Sequence, residues 1–155
     1  MGERIDALLA EYGESHRNET NKAVHWVCVP LIVWSLMALL WSIPVPGFMG
    51  TLPGLNWLTI VLVLALVYYI LLSPTLALGV AVFAAVCIWI IAGLATAGLP
   101  VVSIAVAVFV LAWAGQFWGH KVEGKKPSFL KDIQFLLIGP AWLLSFIYRR
   151  VGIPV

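Results

Sequence analysis

Charge is the first thing missing. From Trp26 to Gly119, well over half of the 155 residues, the chain has no Asp, Glu, Lys, Arg or His. Only 10% of all residues are charged and 63% are hydrophobic, where a soluble domain carries about 25% and about 45–50%. No water-soluble fold can cover such a run, because its surface would be apolar almost everywhere. Cysteine is nearly absent too. Cys28 and Cys87 both lie in apolar stretches, which excludes a disulfide framework and leaves them as small buried hydrophobes. A cleavable signal peptide is not visible, since the first 25 residues are polar and mixed in charge, so the first apolar span is expected to act as the insertion signal. The net charge of +2 comes from basic clusters beside apolar segments, as in loops facing anionic lipid. The partner this implies is the lipid bilayer, and no nucleic acid.

What is present reads as an all-α integral membrane bundle forming one domain over residues 1–155. Ile5, Leu8, Leu9 and Tyr12 recur at i, i+3, i+4 and i+7 within residues 3–15, the pattern of a short amphipathic N-terminal helix. It is expected to lie on the membrane or over helix ends. Asn18 or Thr20 can cap the helix that follows. Residues 1–25 thus hold the amphipathic helix and a polar motif. Four membrane spans are expected within 26–118, near 26–42, 57–73, 75–92 and 101–118, each at the short end of what a hydrocarbon core of about 30 Å requires. A second polar motif occupies 119–132. A fifth apolar segment, 133–148, carries Gly139-Pro140 and is expected to kink there, and 149–155 form a tail.

Four spans return the chain to its starting side. The N-terminus and the loop with Lys121, Lys125, Lys126 and Lys131 then share one face, while the loops on the other side carry no charge. The positive-inside bias makes the shared face cytoplasmic. For Arg149-Arg150 it favours a kinked or re-entrant segment 133–148 over a fifth crossing. The membrane would be a bacterial inner membrane or, in a eukaryote, the endoplasmic reticulum.

The three histidines, His16, His25 and His120, all fall on that face. If the fourth span continues to Glu123, Gln116, His120 and Glu123 share a helix face at i, i+4 and i+7. Asn18, Asn21 and His25 share one at the start of the first span. Three imidazoles and a carboxylate suit a borderline metal such as iron, manganese or zinc, with the amides of Asn21 and Gln116 available to orient the ligands. The blander reading is equally concrete. Interfacial histidines commonly contact lipid headgroups, Glu123 can answer neighbouring lysines, and Gly115-x-x-x-Gly119 can be a helix-packing notch. The tryptophans at span ends are accounted for by an aromatic belt.

The stretch Tyr12…His16-Arg-Asn18-Glu-Thr-Asn21-Lys22-Ala-Val-His25-Trp26, followed by Val29-Pro30, resembles the first signature of the Mpo-type 2-hydroxy fatty acid dioxygenases. Gln116-Phe-Trp-Gly119-His120-Lys-Val-Glu123-Gly-Lys-Lys-Pro127 resembles the second, and Gly139-Pro140 a weaker third. The resemblance implies an iron(II)-dependent dioxygenase of fatty-acid α-oxidation, which uses O2 to shorten a 2-hydroxy fatty acid by one carbon. The metal and catalytic residues would fall on His16, His25, His120 and Glu123. Family members often carry an acidic residue after the last Gly-Pro, whereas residues 141–150 contain none.

The chemistry is coherent. A 2-hydroxy acid chelates a metal through carboxylate and hydroxyl oxygens and leaves a position for O2. Its oily tail can stay among the helices. Asn21, Lys22, Gln116 and Lys121 are the candidate substrate contacts, with Lys22, Lys121 or Arg17 able to neutralise the carboxylate. Metal occupancy should fall below about pH 6, where an ordinary imidazole protonates. Two other readings use the same residues. A zinc-dependent membrane lipid hydrolase would work without oxygen. A small transporter or scaffold would need no chemistry, although no span places an ionisable residue at mid-depth. A homo-oligomer stays open on all three.

Overall fold

A computed structural model describes residues 2–52, 54–126 and 134–155. Among these residues there are six helices and no strand: α1 (Gly2–Gly13), α2 (Glu19–Ser42), α3 (Trp57–Leu72), α4 (Pro74–Thr96), α5 (Val101–Glu123) and α6 (Gln134–Val151). Three of them, α2, α4 and α5, are long and apolar enough to cross a membrane, and α3 is apolar but shorter, at 16 residues. Lys131, Pro127 and the start of the fifth apolar segment lie outside the described residues.

The helix boundaries follow local chemistry. Asn18 caps α2 through its side-chain oxygen, which accepts from the amides of Thr20 and Asn21. That cap starts α2 two turns before the apolar run, so Asn21 and His25 are helical. Asn56 and Thr59 form a reciprocal capping box on α3. Ser73 alone separates α3 from α4, ending one and capping the other, with Pro74 at the first helical position. Helix α5 does run on to Glu123, where Gly124 adopts a left-handed φ of +74° and stops it.

Two layers result. The first is the bundle of α2 to α5, in which α2 has its most extensive packing with α5. The interface is set by Gly115 and Gly119. A Cβ on Gly115 would sit 2.7 Å from Cys28 Sγ, and one on Gly119 would sit 2.5 Å from Asn21 Oδ1 and 3.2 Å from Val24 Cγ1. The packing-notch reading of this pair is therefore correct, and the notch brings the two polar motifs together. Cys28 and Cys87 are both buried and free.

The second layer is a cap. Ile5, Leu9 and Tyr12 of α1 join Phe135, Ile138 and Trp142 of α6 in one core with Tyr69, Leu72 and Leu76 from the α3–α4 turn. Both ends of α6 are tied to that turn. Near its start, Gln134 donates to the Tyr68 hydroxyl (2.6 Å) and the Tyr69 hydroxyl donates to the Leu137 carbonyl. Near its end, the Tyr148 hydroxyl donates to the Thr75 carbonyl (2.8 Å). Helix α6 is continuous through Gly139-Pro140. The α1 face predicted from periodicity is real, and it packs over helix ends.

Candidate metal centre

His16 lies in the connection between α1 and α2, His25 two turns into α2, and His120 in the last turn of α5. The structure brings all three together. They offer ring nitrogens that lie within 4.8 Å of one another. Their exposures are 2%, 1% and 5%, which removes the headgroup-contact reading, because a headgroup contact needs an accessible ring.

The tautomers of two rings follow from their backbone partners. His16 Nδ1 lies 2.6 Å from the Tyr12 carbonyl, and His25 Nδ1 lies 2.8 Å from the Asn21 carbonyl. A carbonyl can only accept, so each Nδ1 carries the proton. Both Nε2 atoms are then bare lone pairs, and they face each other at 2.8 Å. Two lone pairs that close repel unless a cation lies between or beside them. Burial pushes His16 down to about 4, against the proton. The nearby His120 acts in the same direction, while the Tyr12 carbonyl and Glu123 oppose it in part. A metal ion bound beside them would relieve that repulsion. A 2.8 Å separation is within reach of two nitrogens bonded to one ion at about 2.0–2.1 Å. At His120 the buried Nδ1 has no well-aligned partner among the described residues, while the Lys125 backbone interacts with the ring; it is a candidate third donor atom. The donor set fits a borderline divalent metal.

Glu123 stands apart from that set. Its Oε1 accepts from the Arg17 amide (3.0 Å), and its Oε2 accepts from the Asn18 amide (2.8 Å) and the Asn21 side-chain amide (3.2 Å). The carboxylate thereby clamps the α1–α2 connection onto the end of α5. Asn21 is fully buried and donates also to the Ser15 carbonyl (3.1 Å), so it ties the His16 connection to α2.

The other predicted contacts divide. Gln116 is buried, lines a cavity of about 40 Å³ together with His25 and His120, and its Oε1 has no partner among the described residues. Lys22 is paired with Glu19 at 2.8 Å on the surface, Lys121 is exposed, and among the described residues no basic one lines that cavity. Arg17 is likewise exposed.

Two residues of the centre escape a search for ligand types. Tyr12 stacks on His16 with ring centroids 4.2 Å apart and planes 12° from parallel, and its backbone orients the same ring. Burial raises its phenol well above the usual range, so it stays neutral. Trp142 covers His16 from α6 at 5.2 Å. The sequence signals for Tyr12 are its place on the apolar face of α1, one turn before His16, and its position at the head of the first signature. Trp142 had none.

A family model described as 2-hydroxy-palmitic acid dioxygenase Mpo1-like matches residues 3–151. No curated protein and no solved structure matches.

Proposed function

The chain belongs to the Mpo1-like family, and from that premise we propose that it is an iron(II)-dependent dioxygenase converting a 2-hydroxy fatty acid to the acid one carbon shorter with O2. The observation that carries the metal part is the pair of bare Nε2 atoms of His16 and His25 at 2.8 Å, with His120 beside them. His16, His25 and His120 would hold the ion. When bound, iron supplies the oxygen chemistry, which no side chain here can supply.

The protein's own residues do the rest. The carbonyls of Tyr12 and Asn21 fix the imidazole tautomers. Glu123 holds the loop bearing His16 against α5, so it supports the centre rather than entering it. Gln116 offers the open amide oxygen in the cavity and suits the 2-hydroxyl as donor. Among the described residues no lysine or arginine lines the cavity, and the metal would serve as counter-charge to the substrate carboxylate. Tyr12, Trp142 and Phe135 close the centre toward water.

The topology that fits is a bundle of four spans, α2 to α5, with α1 and α6 as a cytoplasmic cap. Both ends of α6 are tied to the α3–α4 turn, which supports keeping Arg149 and Arg150 on the same face as the centre, where the positive-inside bias puts them.

The test is a metal analysis of gently purified protein, combined with an assay for O2-dependent shortening of a 2-hydroxy fatty acid. Iron retained by wild type and lost in His16→Ala, His25→Ala and His120→Ala is expected, with activity lost in parallel. Turnover under argon, or full activity in His120→Ala, would overturn the proposal; the former result would turn it toward a hydrolase.

A further inference from the structure

The histidine cavity has an apolar neighbour. Three of its wall residues, Val33, Leu36 and Leu136, also line a larger cavity of about 280 Å³ between α2, α3, α4 and α6. Among the described residues, that second space has no charged residue in its lining, and the one polar side chain there, Tyr69, has its hydroxyl engaged by the Leu137 carbonyl. Its far walls include Leu40 and Leu58. A polar, metal-suited head end thus shares an apolar wall, Val33, Leu36 and Leu136, with an apolar body, and that wall holds no paired polar groups.

From these observations we propose that the larger cavity is the channel for the acyl tail of the substrate, with Leu40 and Leu58 as its floor and Ala84 as the small wall residue that keeps it open. This rests on the dioxygenase reading for the identity of the head group only. The length agrees with one occupant. From His25 to Leu40 the α2 axis advances about 22 Å at about 1.5 Å per residue. An extended hydrocarbon with bonds of about 1.5 Å advances about 1.25 Å per carbon, so the path takes roughly 16–18 carbons. A phospholipid chain drawn in from the bilayer would not need a place against the cavity that His25 and His120 line. Leu58 is 1% exposed, which makes the floor part of the packed core and fixes where the tail must stop.

Two measurements decide it. The first is photolabelling with a 2-hydroxy acid of about sixteen carbons bearing a terminal diazirine, a length set by the path along α2. It is done without iron or O2, so its outcome is independent of catalysis. Label is expected on the segments containing Leu40 and Leu58. Label confined to outward residues such as Leu64, Leu71 or Leu111 would overturn the channel. The second is the chain-length profile of turnover in two variants of opposite sense. Ala84→Phe should disfavour the long acid relative to a short one, by about fourfold for each methylene displaced. Leu58→Ala should shift preference to longer acids. An unchanged profile in a folded, metal-loaded Leu58→Ala variant would overturn the channel while leaving the dioxygenase standing. Failure of O2-dependent shortening with label still at the floor would do the reverse.

Discussion

The α2–α5 pair and the α3–α4 pair are both antiparallel helix pairs, yet they are made in opposite ways. The α3–α4 pair is closed by one residue, Ser73, so the turn imposes the partnership and loop closure costs little. The α2–α5 pair is separated by that entire hairpin, and nothing in the connectivity aligns it. Its register is cut by side chains: Gly115 receives Cys28, and Gly119 receives Asn21 and Val24. A pair that connectivity enforces can tolerate approximate packing. A pair that packing alone enforces can position atoms, and this is the pair that carries His25 and His120. A membrane bundle can put chemistry where packing rather than connectivity sets the register.

The sharpest way to break the comparison is Gly119→Leu. Asn21 Oδ1 cannot swing aside, because the same amide donates to Ser15 and Glu123. The new side chain must push α5 away. Overpacking of this kind costs about 1–3 kcal/mol, and the displacement separates His120 from His25. Loss of bound metal with a lower melting temperature in detergent is expected, and a variant that keeps full metal occupancy would refute the notch as the aligning element. Gly115→Ala is the milder arm. Combined with Cys28→Ala it should recover toward wild type, since the second change removes the atom the first one meets.

The next effect is that of pH, and it sharpens the expectation from ordinary imidazole chemistry. The folded value of His16, about 4, lies below the usual value near 6.5. As pH falls, the unfolded chain therefore takes up this proton before the folded one does. The stability contributed by neutral His16 is complete above about pH 6.5 and is lost progressively down to about 4. Its ceiling is about 3 kcal/mol for metal-free protein. Metal retention should then persist below pH 6 and fail toward the lower end of that window. Unfolding of chelator-treated protein at a series of pH values checks the first statement, and equilibrium dialysis of iron checks the second. A melting temperature that is flat from pH 7 to 4.5 would count against both.

The class of protein, the amphipathic face of α1 and the grouping of three histidines on one side were all legible in the sequence. Each depends on composition or helical period, which residue letters carry directly. The start of α2 was half legible: Asn18 announced a cap, but the apolar run began only at Trp26. The contacts of Glu123 were hidden because its main partners are the amides of Arg17 and Asn18, and backbone N–H groups have no letter. The burial of His16 was hidden too. It depends on α6 crossing back over the centre with Trp142, a tertiary event that no local period records. Lys22 and Lys121 carry the charge a carboxylate needs, and charge also draws a lysine toward water. The one at 22 found Glu19 instead.

Glu123 offers a smaller effect with a useful sign. If the carboxylate only clamps the His16 connection, Glu123→Gln keeps one acceptor oxygen and should retain metal at wild-type stoichiometry. Glu123→Ala loses every acceptor and should weaken metal binding by about 10–100-fold, the usual range for groups that orient ligands. Its cost in stability is about 1 kcal/mol, because these bonds are partly open to water. A Gln variant as depleted of metal as His120→Ala would instead make Glu123 a ligand.

The smallest effect belongs to the enforced pair and closes the comparison from the other side. Gly93 sits on α4, and a Cβ there would meet nothing within 4 Å. Its φ is ordinary, since the positive-φ glycines are Gly54, Gly98, Gly124 and Gly152. Gly93→Ala should therefore leave metal binding unchanged. It should raise stability by at most about 1 kcal/mol, through the lower backbone entropy of alanine in a helix. Glycine content alone would rank Gly93 with Gly115 and Gly119. The distinction lies in what stands opposite each one, and a loss of metal in Gly93→Ala comparable to that in Gly115→Ala would mean that α3–α4 is held as tightly as α2–α5.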